Sequence, residues 1–209
     1  MKNAQEWLLD FVRFYRDLEF FAEHSNLSDE HLAVWIRQRM LSQGLDLEQE
    51  GCREDYLVLG CDRNRVWGVA FDIFDSFDFS HAQEIGYGWQ LHEEIVNGWC
   101  GISRCSFCPE NVRATWLSAE ESVRLEFVLA DVQHTLCLEP DLLYGDTHYE
   151  YCNLTLVKLS VVLEPLMSET DYHFEIWDLG CAAIVMCITA IEKNMIVSNR
   201  GAYFSSLHK

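Results

Sequence analysis

The chain has 209 residues, 49% of them hydrophobic, and it carries 34 acidic against 15 basic side chains for a formal net charge of −19. This composition supplies enough apolar material for a core and excludes a disordered or low-complexity chain. The negative field excludes nucleic acid and anionic membrane surfaces as direct partners, and it favours basic proteins or metal cations.

The sequence predicts a cytoplasmic protein. Its longest apolar run, residues 181–191, is shorter than the roughly 20 residues that a membrane-spanning helix needs. Residues 1–7 carry an acid, Glu6, and lack the unbroken apolar run of a signal peptide. The nine cysteines are odd in number, which argues against a disulfide scaffold, so we expect reduced thiols.

Residues 1–44 predict a helical hairpin. Leu8, Phe11 and Tyr15 recur at spacings of three and four residues, which predicts a helix over 4–23. Ser28 suits the N-cap of a second helix, and Gly44 suits the position just after its end. The aromatic residues here exceed what one core face needs, which suggests a docking surface of a larger assembly. These aromatic residues are Trp7, Phe11, Phe14, Tyr15, Phe20 and Phe21.

Residues 45–209 predict a β-rich body. We expect a hairpin with strands at 56–61 and 66–74, followed by a short helix at 90–97. Alternating apolar residues predict further strands, at 122–129, 132–139, 147–152, 154–164 and 172–178. Residues 181–193 fit either a buried helix near the C-terminus or a strand. The prediction is a single α+β domain over 1–209, with the helical hairpin followed by a mainly antiparallel sheet.

A repeat with an offset of 25 residues lies in this region. Leu-Glu-Pro at 138–140 and at 163–165 is followed each time by Asp-x-His-aromatic-Glu, beginning at 146 and at 171. Proline cannot continue a strand ladder, so each copy predicts a strand, an exit loop and a return strand. Two such copies predict a meander with a duplicated hairpin.

The repeated Asp-x-His-aromatic-Glu sequence is a candidate metal site. Alternate residues of a strand share one face, so the acids and the histidine of each copy would lie together. Imidazole and carboxylates are competent ligands for divalent metals such as zinc. The alternative is a plain amphipathic strand with its polar side in water. The candidate ligands are Asp146, His148, Glu150, Asp171, His173 and Glu175.

A second candidate metal site lies in the cysteines. Cys100, Cys105 and Cys108 follow a C-x4-C-x2-C spacing, and Cys137 comes later. Thiolates at such spacings can hold zinc, and the pattern also resembles that of plant-type [2Fe–2S] ferredoxins. The loop departs from that family because it holds bulky residues, and one Cys-x2-Cys without a second also fits unliganded thiols.

A strip in which Phe and Asp recur covers residues 71–79. Exposed, it would suit a basic protein partner, with its aromatic residues as anchors. The alternative is a core-lining edge segment. The candidate binding residues are Asp72, Phe74, Asp75, Phe77 and Asp78.

The sequence favours a non-enzymatic function, because it contains no phosphate-binding glycine loop, nucleophile elbow or His-Glu-x-x-His. Residues 114–192 hold 14 acids and only Arg124 and Lys158 as bases, and we place part of this excess on the outward face of the duplicated hairpin. We expect an acidic binding protein for a basic partner, such as an inhibitor or immunity-type protein. The alternative is a metal-binding protein or a metal-dependent hydrolase. The oligomeric state does not follow from the sequence.

Overall fold

The computed structural model describes residues 3–69, 90–117, 120, 122–138, 148–167, 169–179 and 183–205. The chain divides into two compact units, Met1–Val66 and Trp67–Lys209. Helices are followed by antiparallel strands and by a helix near the C-terminus, which confirms the α+β class. That the whole chain is a single domain stays a prediction.

The first unit contains the predicted helical hairpin. Helix α1 covers Ala4–Asp17 and begins with a capping box between Asn3 and Glu6. Helix α2 covers Asp29–Ser42, and the Ser28 side chain accepts a hydrogen bond from the His31 N–H, as an N-cap does. Gly44 has φ +79°, so both predicted boundary residues of α2 are confirmed.

Helix α1 ends at Asp17 and not at 23, because the chain then turns through the left-handed region. Glu19 has φ 61° and Phe21 has φ 58°, values that are uncommon for residues other than glycine. Such a turn persists only where surrounding contacts hold it.

Two buried charged side chains hold this turn. The Arg65 guanidinium donates to the carbonyl oxygens of Leu18, at 3.3 Å, and Glu19, at 3.1 Å, and it lies 4.3 Å from the centre of the Phe20 ring. The Asp62 carboxylate accepts a hydrogen bond from the Phe21 N–H. Asp62 and Arg65 are 1% and 5% exposed. Burial raises the pKa of Asp62, and the Phe21 N–H and Arg65 oppose that rise.

The predicted strand at 56–61 is wrong, because helix α3 covers Asp55–Leu59. Its buried residues include the neighbours Val58 and Leu59, which a strand would place on opposite faces. Asp55 at its start accepts a hydrogen bond of 2.9 Å from the Tyr15 hydroxyl of α1. The second half of the predicted hairpin is a strand, β1, at Val66–Val69, and residues 70–74 lie outside the described ranges.

The second unit contains helix α4, at Gln90–Ile102, and a three-stranded antiparallel sheet. The helix predicted at 90–97 is confirmed and is longer than expected. The sheet has the order β2-β3-β4, with strands at Glu110–Leu117, Ser122–Leu129 and Val132–Leu138. Val123, Leu125 and Phe127 of β3 are buried, as their alternation predicts.

Another sheet has the order β1-β6-β5-β7. Its antiparallel pair β5 and β6 covers Tyr172–Asp178 and Ala183–Thr189, and the short β7 covers Phe204–Ser205. Residues 183–188 are all buried. Helix α6, at Ala190–Arg200, follows β6 directly. The predicted helix near the C-terminus is therefore present, but the buried element of 181–193 is the strand that precedes it.

The predicted duplicated hairpin is wrong in both copies, because a helix replaces the return strand of the first copy and the first strand of the second. Helix α5 covers His148–Leu163, where strands were predicted at 147–152 and 154–164. Leu156, Leu159 and Leu163 are buried and recur at helical spacing, whereas the second copy buries the alternate residues Phe174 and Ile176 of β5. The same local sequence therefore takes two secondary structures, because the apolar residues around it differ in period.

Aromatic side chains join the elements of the second unit. Trp99 of α4 lies 4.6 Å from Phe174 of β5, measured between ring centres. Phe107 lies 5.6 Å from Phe174 and 6.1 Å from Phe127 of β3. These rings belong to one buried cluster, to which α4, α5 and both sheets contribute.

Asp62→Ala should lower the free energy of unfolding by about 3 kcal/mol, because it removes the carboxylate charge that attracts the buried Arg65 and leaves the Phe21 N–H without an acceptor. Chemical denaturation measures this change. The control is Asp17→Ala, an exposed site at which we expect a change within about 0.5 kcal/mol. Equal stability of the two variants would contradict the role of Asp62 in holding the turn after α1.

Gly98→Ala should destabilise the protein by about 2 kcal/mol through overpacking, because the added methyl group would overlap the indole ring of Trp67. Gly101→Ala on the same helix has no atom within 4 Å of the added group, and we expect a gain of up to about 1 kcal/mol from helix propensity. Thermal melts of both variants test the difference, and a destabilised Gly101→Ala would refute its steric origin.

Candidate functional site

Several basic side chains form hydrogen bonds or ion pairs with other residues of the chain. Arg16 donates to Asp29 at 2.8 Å and to the carbonyl oxygens of His24 and Leu27 at 2.7 and 2.8 Å. Only 20% of its side chain is exposed. Arg37 donates to Glu48 at 2.7 Å. Arg16 is thereby held against the protein, and Arg37, with 42% of its side chain exposed, is paired with a carboxylate at the surface.

The second unit repeats this arrangement. Arg104 lies 3.2 Å from Glu192 and over the Tyr172 ring, with its side chain 20% exposed. Lys193 donates to Glu175 at 2.7 Å and is 25% exposed. Both cations are therefore held against neighbouring elements.

The exposed carboxylates are spread over turns and helix surfaces. In the described part of 114–192, they lie in turns and not on one sheet face. The outer face of the three-stranded sheet carries Arg124, and its register places Arg113 opposite Glu126. The predicted acidic face of a duplicated hairpin is therefore not formed. The exposed acids of this region are Glu120, Asp131, Glu169 and Asp171.

A groove lies between α1 and α2 in the first unit. It has a volume of about 150 Å³, and its lining is mostly apolar. Arg37 contributes to the lining but is engaged with Glu48. The lining residues are Ala4, Gln5, Leu8, Leu9, Glu30, Ala33, Val34, Arg37 and Leu47.

Glu30 gives this groove a negative charge. Hydrogen bonds from its own backbone N–H and from Ser28 lower the pKa of its carboxyl group, so it stays ionised at neutral pH. Arg13 lies 3.7 Å away, but both side chains are largely exposed, at 59% and 64%, and such a pair contributes little. The groove therefore combines apolar walls with an accessible carboxylate.

Four of the six aromatic residues suggested as a docking surface are buried. Phe11, Tyr15, Phe20 and Phe21 are at most 1% exposed. Tyr15 contacts Phe11 and Phe20 with ring centres 4.5 and 5.3 Å apart. These four rings are therefore core material of the first unit, whereas Trp7 and Phe14 are half-buried.

The two copies of Asp-x-His-aromatic-Glu lie in different settings. Asp146 lies outside the described residues, and His148 and Glu150 belong to the first turn of α5. In the second copy, Nδ1 of His173 lies 3.7 Å from the Glu164 carboxylate, and Glu175 accepts from Lys193. Asp171 is exposed in the turn before β5.

The four cysteines of the second candidate metal site lie in two parts of the second unit. Cys100 is in the last turn of α4, and Cys105 and Cys108 follow in the loop to β2, whereas Cys137 is exposed on β4. Burial raises the pKa of Cys100, and the neighbouring Cys108 and Cys105 raise it further. Within the described ranges, no three His, Cys, Asp or Glu side chains are grouped to hold a metal ion. Zinc and an iron–sulfur cluster therefore stay predictions.

The Phe and Asp strip, with Asp72, Phe74, Asp75, Phe77 and Asp78, lies outside the described residues. The groove between α1 and α2 was not predicted from the sequence, although one feature of the sequence indicates it. Val34, which lines the groove, interrupts the polar side of α2 and is 53% exposed.

Comparison with known proteins yields no assignment: no family model, no curated protein and no solved structure matches the chain. Among the helices that the structure describes, none is long and apolar enough to cross a membrane.

The thiols should differ sharply in reactivity. Cys137 is exposed, whereas Cys61 is buried and burial raises its pKa to about 11. At pH 8, maleimide should therefore modify Cys137 rapidly and Cys61 only after unfolding, because the thiolate is the reactive form. Peptide mapping of briefly labelled native protein, against protein labelled in denaturant, measures this. Rapid native labelling of Cys61 would contradict its burial.

Proposed function

We propose that this protein is a non-enzymatic acidic binding protein that engages a basic protein partner. An inhibitor or immunity-type protein that neutralises a cationic toxin or nuclease is one form of this function. The observation that carries the proposal is that Arg16, Arg37, Arg104 and Lys193 are engaged internally, while carboxylates are exposed in both units.

This arrangement matters because short-range recognition depends on which charges a partner can reach. Arg16 and Arg104 have only a fifth of their side chains exposed. They reduce the net negative charge, but a partner in close contact cannot easily reach them, so they repel it little. The formal charge of −19 also attracts a cationic protein over a longer range and speeds its association. Both effects favour the same class of partner.

The groove between α1 and α2 is the place where we expect an anchor residue of the partner. Its occupant would be a lysine or arginine side chain, because such a side chain has an aliphatic stem and a cationic head. The stem suits Leu8, Ala33 and Val34, and the head suits Glu30. Arg37 opposes this cation least when it is paired with Glu48, as it is here.

Affinity capture at low salt, read out by mass spectrometry, should recover a basic protein. With that protein purified, raising the salt concentration from about 50 to about 200 mM should weaken binding about tenfold or more, mainly through slower association. Recovery of no basic protein, or an affinity insensitive to salt, would refute the proposed function.

Val34→Arg should raise the Kd for the purified partner about tenfold, equivalent to about 1.4 kcal/mol, because it places a cation in the groove. Gln43→Arg makes the same change of charge at the exposed C-terminal end of α2, outside the groove lining, and should have a much smaller effect. An equal loss of affinity in both variants would still be consistent with a basic partner, but it would rule out the groove as the site of its anchor residue.

A further inference from the structure

The loop that joins α4 to β2 brings two cysteines together. Cys100 lies in the last turn of α4 and is half-buried, and Cys108 is exposed two residues before β2. The Ser103 hydroxyl lies within hydrogen-bond distance of the carbonyl oxygens of both Cys100 and Phe107, which brings the neighbouring Cys108 close to Cys100. Cys108 and Cys105 both act on the Cys100 thiol. Each of the three is a free thiol.

The backbone of this loop is built to make that approach. Arg104 and Cys105 are consecutive left-handed residues, with φ of 56° and 64°, and they reverse the chain just after the helix. The buried Ser103 hydroxyl lies 2.8 Å from the Cys100 carbonyl oxygen and 2.9 Å from that of Phe107. This hydroxyl therefore links the end of α4 to the residue before Cys108.

The surroundings fix the loop in place. Phe107 is fully buried and packs against Phe127 and Phe174. The Ser106 hydroxyl donates to the Ser103 carbonyl oxygen at 2.6 Å, and Arg104 pairs with Glu192. Cys108 thus stays beside Cys100 because the residues between them are anchored at several points.

We propose that Cys100 and Cys108 form an oxidation-sensitive pair that closes to a disulfide when the exposed Cys108 meets a hydroperoxide. The Cys108 sulfur attacks the peroxide, so that an S–O bond forms, the O–O bond breaks and an alcohol or water leaves. The Cys100 sulfur then attacks the Cys108 sulfenic acid, so that the S–S bond forms, the S–O bond breaks and water leaves with the Cys100 proton. The peroxide takes up the two electrons that the two thiols lose.

The two cysteines differ in a way that sets this order. Cys108 is exposed and can meet the oxidant, whereas Cys100 is half-buried in the helix end. Cys100 therefore acts as the second thiol, which resolves the sulfenic acid, and a dithiol reductant returns both to the starting state.

The test is hydrogen peroxide treatment of the full chain, first reduced and freed of metal with a chelator, followed by tryptic mapping. Trypsin cleaves after Arg104, between the two cysteines, so the disulfide appears as a linked pair of peptides. We expect this pair in the wild type and in Cys105→Ser, at a rate independent of protein concentration, and its loss on treatment with a dithiol.

Cys108→Ser changes an exposed side chain and should fold, but it should yield no such linked pair. Cys137→Ser, at an exposed cysteine on β4, should oxidise at the wild-type rate. The proposal is overturned if Cys108→Ser gives as much linked peptide through Cys105, if only disulfides between chains form, or if Cys108 passes to sulfinic acid without a linked pair.

Discussion

The first unit depends on the buried pair of Asp62 and Arg65. A helical hairpin needs a turn, and this one passes through left-handed residues at Glu19 and Phe21 that do not favour that conformation by themselves. Arg65 satisfies the carbonyl oxygens on one side of the turn, and Asp62 satisfies an N–H on the other. The hairpin geometry, and with it the groove between α1 and α2, follows from this clamp.

Burying two charges is costly, and the rise in the pKa of Asp62 is a sign of that cost. The two charges are tolerated because each side chain makes at least two hydrogen bonds and because the Arg65 guanidinium also lies over the Phe20 ring. Tyr15 and Asp55 add a further buried hydrogen bond between α1 and α3. Polar contacts thus specify the arrangement of an otherwise aromatic core.

In the second unit, order comes from aromatic packing and from the loop after α4. Phe107 is the residue through which the two are linked, because it lies in the loop and also contacts Phe127 and Phe174. The position of the Cys100 and Cys108 pair is therefore a consequence of core packing. The function we propose and the thiol chemistry we infer use different parts of the chain and can fail independently.

The candidate site was only partly predictable. Net charge was available from the sequence, but the exposed acids near β5 lie in turns and not on the expected strand face, because α5 takes the place of one predicted strand of each hairpin copy. The groove depends on the packing of α1 against α2, which no local pattern encodes. The proximity of Cys108 to Cys100 depends on two left-handed residues, neither of them glycine, and nothing in their sequence marks them.

The sequence by itself determined the features that short-range physics controls. Ser28 and Gly44 bound α2, the alternation in β3 sets its buried face, and the excess of acids sets the charge, since capping, alternation and charge involve only neighbouring residues or composition. Tertiary structure decided the rest. The repeat lies in a helix at 148–150 and in a strand at 172–175, and Asp62 and Arg65 hold the turn of the hairpin, because those outcomes depend on partners distant in the chain.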